Sequence, residues 1–306
     1  MKPGNAEANP ARRALLAAGA GAAATAALLH GAAPARADLR PRGAAVARLR
    51  RLEREHGARL GAFAYNLATG AAVHHRADER FPICSVFKPL AAAAVLRDLD
   101  RNGETLARRI RYSEADLVEH SPVTGTPEHL EHGMTVAELC DATIVTSDNT
   151  AGNLLLRELG GPTAVTRFCR SIGDTVTRLD RWETDLSSGE PWRIEDTTSP
   201  RAVAGSYARL VLGTALEAGD RRMLTGWLLN CATSGKRFRA GLPADWTVAD
   251  KTGGGGYGTG NDVGVAWTPD GAPIVLAVLT TKPEAGAAPD DPLIAKSAGV
   301  LADAVG

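Results

Sequence analysis

The sequence predicts an α/β fold in which both ends of the chain supply a sheet and the middle supplies an inserted all-helical domain. Three observations carry this expectation. Short β-rich runs occur near the N-terminus and again from Trp246 onward. Most of the chain between them has helical spacing. Further helical patterns lie before the first strand run and after the last.

In chain order, Ala44–His56 spaces Val46, Leu49 and Leu52 for one face of a helix, with Leu60 continuing the series. Leu60–Leu67 runs apolar or alternates, Ala68-Thr69-Gly70 supplies a turn, and Ala71–His75 completes a hairpin signal. His74 and His75 are neighbours in that strand and point to opposite faces, so they are poor joint metal ligands. Leu90–Leu99, rich in Ala, Leu and Val, reads as a buried helix. Thr135–Val145, Thr150–Leu159, Pro162–Ser171, Arg201–Leu216 and Arg221–Asn230 read as helices, with Gly160-Gly161-Pro162 as a stop followed by a start. Trp246–Asp250, Asp262–Trp267 and Ile274–Thr280 are β-rich, and Pro292–Val305 is a closing helix. The expected division is a sheet domain from 38–80 and 215–306 and a helical domain over 81–214.

A chain of 306 residues can hold two modest domains or one large one. Its 35 basic and 35 acidic residues give no excess that would suit nucleic acid. Arg12-Arg13 precede a run from Ala14 to Ala35 without Asp, Glu, Lys or Arg, and Ala35-Arg36-Ala37 follows as an A-x-A cleavage pattern. Residues 1–37 therefore read as a secretory signal of the twin-arginine type, cut near Ala37-Asp38. An uncleaved anchor is the alternative, but the Ala/Gly bias makes the run weakly hydrophobic. The expected product is secreted or periplasmic, monomeric, and without stable membrane association. Its four cysteines, Cys84, Cys140, Cys169 and Cys231, are expected to be free and mostly buried.

Three short motifs carry chemistry. In "FPICSVFKPL" Ser85 and Lys88 lie three apart, and Pro89 is tolerated only in about the first turn of a helix. Ser85 thus sits at a helix N-terminus, where free N–H groups can stabilise developing negative charge. A serine is a weak nucleophile until a base takes its proton, and a lysine can act so only if its pKa is lowered. Taken alone, the stretch favours a capping serine beside an incidental lysine. Ser147-Asp148-Asn149 can turn Ser147 and Asn149 the same way with Asp148 inward, or can simply cap the next helix. Lys251-Thr252-Gly253, at the end of the Trp246–Asp250 strand, suits a substrate carboxylate, or is a glycine-rich turn with a solvated lysine.

S-x-x-K, S-D-N and K-T-G in this order are the set of the class A β-lactamases and penicillin-binding proteins. From Asp38 to Gly306 the chain resembles a class A serine β-lactamase, which implies a β-lactamase/transpeptidase-like fold: an antiparallel sheet flanked by helices. The resemblance makes Arg178–Pro200 the omega loop, Glu183 the base that activates the deacylating water, and Arg181 with Asp196 the pair at the loop's neck. It gives Ser85 as nucleophile, Ser147 as proton relay, and the backbone N–H groups of Ser85 and Gly254 as oxyanion hole. Asn149, Lys251, Thr252 and Gly253 would hold substrate. The acylation base stays open between Lys88, and water with Glu183.

Arg237 would back the carboxylate-binding lysine, since the family's usual arginine is missing from Gly258–Trp267; Arg239 is the weaker candidate. Ser187 stands where the family has an asparagine that helps hold the deacylating water, which implies altered deacylation. Thr184 stands where proline is frequent, and His120 where an aromatic often lines the entrance. No metal or cofactor is implied; the partner is a small β-lactam. A D-Ala-D-Ala peptidase and a non-hydrolytic β-lactam sensor are the competing readings, and Glu183 argues against the first.

Overall fold

In the computed structural model, which describes residues 39–306, five strands form one antiparallel sheet in the order β2-β1-β9-β8-β7. These are β1 (Arg59–Asn66), β2 (Ala72–His75), β7 (Thr247–Gly255), β8 (Thr259–Trp267) and β9 (Pro273–Thr281). Strand β1 pairs with β9 from Arg59↔Thr281 to Asn66↔Ile274. The two ends of the chain thus meet at the centre of the sheet, as the pattern of β-rich runs predicts. The expected leader, residues 1–37, lies outside the described residues.

Both faces of the sheet are covered, and the strand sequences show it. In β9, Ile274, Leu276 and Val278 pack on one face, while Val275, Ala277 and Leu279 join the cluster on the other. The first face is closed by α1 (Leu39–Glu55) and α11 (Asp291–Val305), through Leu49, Leu52, Leu293, Ile294 and Leu301. The second is continuous with the helical part, so one apolar cluster runs from Phe63 in the sheet to Leu154 and Phe168. The intervening helices are α2 (Lys88–Ala94), α3 (Glu104–Ala107), α4 (Pro127–His132), α5 (Val136–Val145), α6 (Asn149–Glu158), α7 (Thr163–Ser171), α8 (Pro200–Val211), α9 (Ala218–Leu229) and α10 (Phe238–Gly241).

Helix α2 lies at the centre of this packing. Ala91, Ala92, Ala93 and Ala94 are at most 1% exposed, so this helix has no solvent face, and its small side chains let its neighbours approach closely. Pro89 occupies its first turn, preceded by a tight 3-10 turn, Cys84–Phe87. The apolar pattern up to Leu99 does not continue as α-helix: Val95–Leu99 relaxes into a wider turn.

One expectation about the sheet needs correction. The K-T-G segment is not the end of a strand but its middle, because β7 continues through Gly255, paired to β8 as far as Gly255↔Thr259. Glycines read as a turn because they weaken strands. Here they admit a neighbour: a Cβ on Gly255 would collide with Ser187 O, and one on Gly256 with Ser188 O.

The segment Arg178–Pro200 leaves and rejoins the body at a narrow neck. Its last residues form β6 (Thr197–Thr198), paired to β3 (Phe81–Pro82) just before Ser85. Arg181 Nε donates to Asp196 Oδ2 at 2.6 Å, and Asp196 Oδ1 accepts from the N–H groups of Asp180 and Arg181 at 2.7 and 3.0 Å. Asp196 is 1% exposed, so its removal orphans three buried or half-buried donors. Asp196→Ala should lower stability by about 3 kcal/mol and speed hydrogen exchange across 178–197; urea unfolding and exchange mass spectrometry check both, and unchanged exchange in the loop would refute the pinning role.

Candidate active site

Five buried polar side chains, those of Ser85, Lys88, Ser147, Glu183 and Lys251, converge where α2, the α5–α6 turn, the 178–200 loop and β7 meet. Ser85 enters from the tight turn before α2. Cys84 has φ +43°, a left-handed conformation rare for a side-chain-bearing residue, and this bend aims the turn into the cleft. Asn261 Nδ2 in β8 donates to the carbonyls of Pro82 and Ile83 at 2.9 and 3.0 Å, and Tyr207 Oη donates to Val86 O at 2.9 Å. The nucleophile candidate is thus held by the sheet on one side and by α8 on the other.

Ser85 Oγ is 3.4 Å from Glu183 Oε1, which also lies 3.4 Å from Lys88 Nζ. Lys88 is fully buried. Its ammonium donates to Ser147 O at 2.7 Å and Asn149 Oδ1 at 2.6 Å, with Ser147 Oγ at 3.3 Å. Among the described residues these acceptors and Glu183 are its hydrogen-bond and ion-pair partners; Ser85 Oγ is not one of them. Burial pushes the Lys88 amine down from the ordinary lysine range, and the Glu183 carboxylate pushes it back up. Lys251 Nζ donates to Ser147 Oγ at 3.0 Å and to Thr252 O at 2.9 Å. Burial, with a contribution from the Lys88 charge, lowers Lys251 to about 8.

Ser147 takes up φ +64° at the head of α6, and Asp148 turns inward as expected. Asp148 caps α6 through Ala151 N at 2.8 Å and accepts from the N–H groups of Val123 and Thr124 at 3.0 and 2.9 Å. That leaves Ser147 and Asn149 on the cleft side. Asn149 Nδ2 donates to Glu119 O at 2.8 Å, and its own N–H donates to His120 O at 3.0 Å. His120 is exposed at this rim, with Nε2 3.0 Å from Thr146 O.

Gly253 lies against the start of the Ser85 turn: a Cβ there would be 3.3 Å from Ser85 N. Gly256 N donates to Ser187 O at 3.0 Å across the open edge of β7. The two-residue period of a strand turns the N–H of Gly254 toward the same edge. Thr252 Oγ1 sits 2.5 Å from Thr233 Oγ1. Arg237 Nη1 donates to Gly253 O and Asn261 O at 2.6 and 2.7 Å, and its Nε pairs with Asp291 at 2.7 Å. Arg239 instead turns to Asp250 Oδ1 at 3.1 Å and Leu229 O at 3.0 Å.

Ser187 Oγ donates to Glu183 Oε2 at 3.0 Å, a direct contact that its short side chain permits because the loop folds back on itself. Cys84, beside Ser85, is buried and free, as are Cys140, Cys169 and Cys231. Burial, then the Glu183 charge, pushes the Cys84 thiol up to about 12, so no thiolate competes with Ser85 at neutral pH.

Sequence reasoning missed Asn153. Its amide binds the Glu183 backbone twice, donating to Glu183 O at 2.8 Å and accepting from Glu183 N at 2.9 Å. Its place four residues after Asn149 on one helix, facing the same way, is the signal that could have found it. Asn261 and Thr233 had no comparable signal, since their partners are distant in sequence.

Two serines, two lysines and a carboxylate thus meet in one buried cleft beside an antiparallel sheet. A family model described as the beta-lactamase enzyme family matches residues 44–305. A curated beta-lactamase of Streptomyces fradiae is 62% identical over 302 residues, covering 97% of this chain and 98% of that one. One from Streptomyces cellulosae is 65% identical over 266 residues, 86% of this chain and 85% of that one. The solved beta-lactamase of Streptomyces albus G superposes with a TM-score of 0.85 at 62% identity, covering 86% of this chain and all of that one. The chain belongs to the β-lactamase enzyme family.

Lys251 at about 8 has a direct consequence. It is cationic below that value and neutral above it, so attraction for a bound carboxylate weakens as pH rises through it. An NMR titration of Lys251 should give a midpoint near 8, with anionic-ligand Kd rising over the same interval; a midpoint at the ordinary lysine value of about 10 would contradict this.

Proposed function

We propose that the protein is an exported β-lactamase that opens penicillins and cephalosporins through an acyl-enzyme on Ser85. The observation that carries this is the Glu183 carboxylate, buried and within 3.4 Å of both Ser85 Oγ and Lys88 Nζ. Export is supported by Arg12-Arg13, the uncharged run and the A-x-A pattern. Among the described residues no helix is long and apolar enough to cross a membrane.

The substrate carboxylate lies against Lys251 and Thr252, with Arg237 adding positive charge from behind through Gly253. The acylamido group meets Asn149 at the His120 rim. Ser85 Oγ attacks the lactam carbonyl carbon, and its proton passes to Glu183, the acceptor within its reach. Lys88 holds its own protons toward Ser147, Asn149 and Glu183 and acts mainly by charge. Negative charge on the carbonyl oxygen is taken by the N–H groups of Ser85 and Gly254.

Ser147 Oγ accepts from Lys88 and Lys251, which leaves its own hydrogen free for the lactam nitrogen as the C–N bond breaks; Lys88 replaces that hydrogen and takes the proton from Glu183 in turn, so that Glu183 is again a carboxylate. Water then loses a proton to Glu183 and attacks the acyl carbon, and Ser85 leaves with a proton. Splitting one difficult amide hydrolysis into two acyl transfers is the gain. Asn153 holds the Glu183 backbone, and Ser187, hydrogen-bonded to Oε2, fixes the orientation of the carboxylate and alters deacylation. Arg181 and Asp196 hold the loop that carries both.

Turnover of a chromogenic cephalosporin by the mature chain tests this reading. Many turnovers per enzyme are expected, and a burst of one equivalent followed by a stall would favour the peptidase or sensor reading. Arg237→Ala should raise the KM for penicillins about tenfold, the scale of a lost charge-assisted contact, with kcat little changed; an unchanged KM would remove Arg237 from substrate binding.

A further inference from the structure

Behind the Lys251-Thr252-Gly253 segment lie two carboxyls that no step above uses. Asp250 and Asp262 are both 0% exposed. The β7–β8 register opposes Asp250 to Gly264 and Thr252 to Asp262, so the two acids are diagonal neighbours on one face of the sheet, away from Lys251. Each has one oxygen accounted for. Asp250 Oδ1 accepts from Arg239 Nη2 at 3.1 Å, and Asp262 Oδ2 accepts from Phe238 N at 3.0 Å. Among the described residues the other oxygens, Asp250 Oδ2 and Asp262 Oδ1, have no hydrogen-bond donor. The diagonal register on one fully buried face brings the two carboxyl groups together. Two carboxylates so placed, both fully buried, are untenable unless a proton lies between them.

We propose that Asp250 and Asp262 hold one proton between them, Asp262 as the acid donating to the Asp250 carboxylate, and that this bond positions Lys251, Thr252 and Arg237 for the substrate carboxylate. The assignment of the proton follows from the neighbours. The Arg239 cation pairs with Asp250 and keeps it ionised, while the closest partner of Asp262 is a neutral N–H. Burial, then the Asp250 charge, pushes the Asp262 carboxyl well above the ordinary range. Burial also raises Asp250, against Ser234 and Arg239. The other titratable groups facing the pair are Arg237, Cys231, Tyr207 and Lys251.

The mechanical consequence lies in what the bond joins. Asp250 immediately precedes Lys251. Asp262 sits opposite Thr252 and also holds the backbone of Phe238, next to Arg237. One shared proton therefore ties both strands of the carboxylate site to the segment that brings Arg237 to Gly253. It also leaves a single negative charge behind Lys251, which favours the cationic amine.

The proposal rests on the assignment of Lys251 to the substrate carboxylate, but the proton can be tested without it. Infrared spectra of the full chain at neutral pH should contain a protonated-carboxyl band that Asp262→Asn removes; a wild-type spectrum without that band overturns the shared proton whatever the activity. Asp262→Asn keeps both hydrogen bonds and the single charge, so penicillin KM and its alkaline midpoint should stay within about twofold of the original. Asp262→Ala leaves Asp250 Oδ2 without a donor and should raise KM about tenfold, with kcat within about threefold. Asp250→Asn/Asp262→Asn removes the charge and should shift the alkaline rise of KM to lower pH. Equal damage from Asn and Ala, a kcat loss matching the KM rise, or an unmoved alkaline midpoint in the double variant would overturn the positioning role. If Asp262→Ala fails to fold, the infrared band and the Asn variants still decide.

Discussion

A buried ammonium must be met by acceptors on every side, and the requirement of Lys88 organises this cleft. Helix α2 places it at the centre of the molecule, where water cannot serve. The partners come from elsewhere: a carbonyl and a hydroxyl from Ser147, an amide oxygen from Asn149 and a carboxylate from Glu183. Each then has a fixed place because the lysine needs it there. Ser147 adopts a left-handed backbone to present its carbonyl, and Glu183 is brought to Ser85 by the same attraction. Loss of the Lys88 ammonium would take a donor from Ser147 O, Ser147 Oγ, Asn149 Oδ1 and Glu183 Oε1 together, which is why the α5–α6 turn and the 178–200 loop are energetically linked though far apart in sequence.

The loop that carries Glu183 has little regular structure of its own, so its position depends on contacts. At its neck Asp196 gathers three donors. In its middle Asn153 holds the backbone of Glu183 from α6. At its far end Ser187 and Ser188 rest on Gly255 and Gly256, and any side chain there would force the loop off the strand. The run of four glycines thus sets both the open edge of β7 and the seat of the loop that carries Glu183.

Much of this was legible in the sequence. The continuous apolar run of β9 marks a strand buried on both faces, and the helical spacing of α1 a helix buried on one. Motifs with local chemistry, such as Ser85 before Pro89 or Asp148 as a cap, were also readable, because their geometry is set by near neighbours. What could not be read depends on distant contacts. Gly253–Gly255 looked like a turn because glycine disfavours strands, and only the docked 178–200 loop explains why it is tolerated inside one. Asn153 and Asn261 looked ordinary because their partners lie 30 and 179 residues away in the chain. The choice between Lys88 and Glu183 as acceptor of the Ser85 proton was open in the sequence, because it depends on packing that turns the Lys88 amine toward Ser147 and Asn149 and leaves Glu183 facing the serine.

The central claim is that Glu183 takes the Ser85 proton as well as activating water. Rapid-quench intact-mass spectrometry of Glu183→Gln with a penicillin measures acylation alone. The account predicts that acylation slows together with deacylation, by orders of magnitude in each step. Acylation at the wild-type rate, followed by an accumulated acyl-enzyme, would contradict it and return the first proton to Lys88.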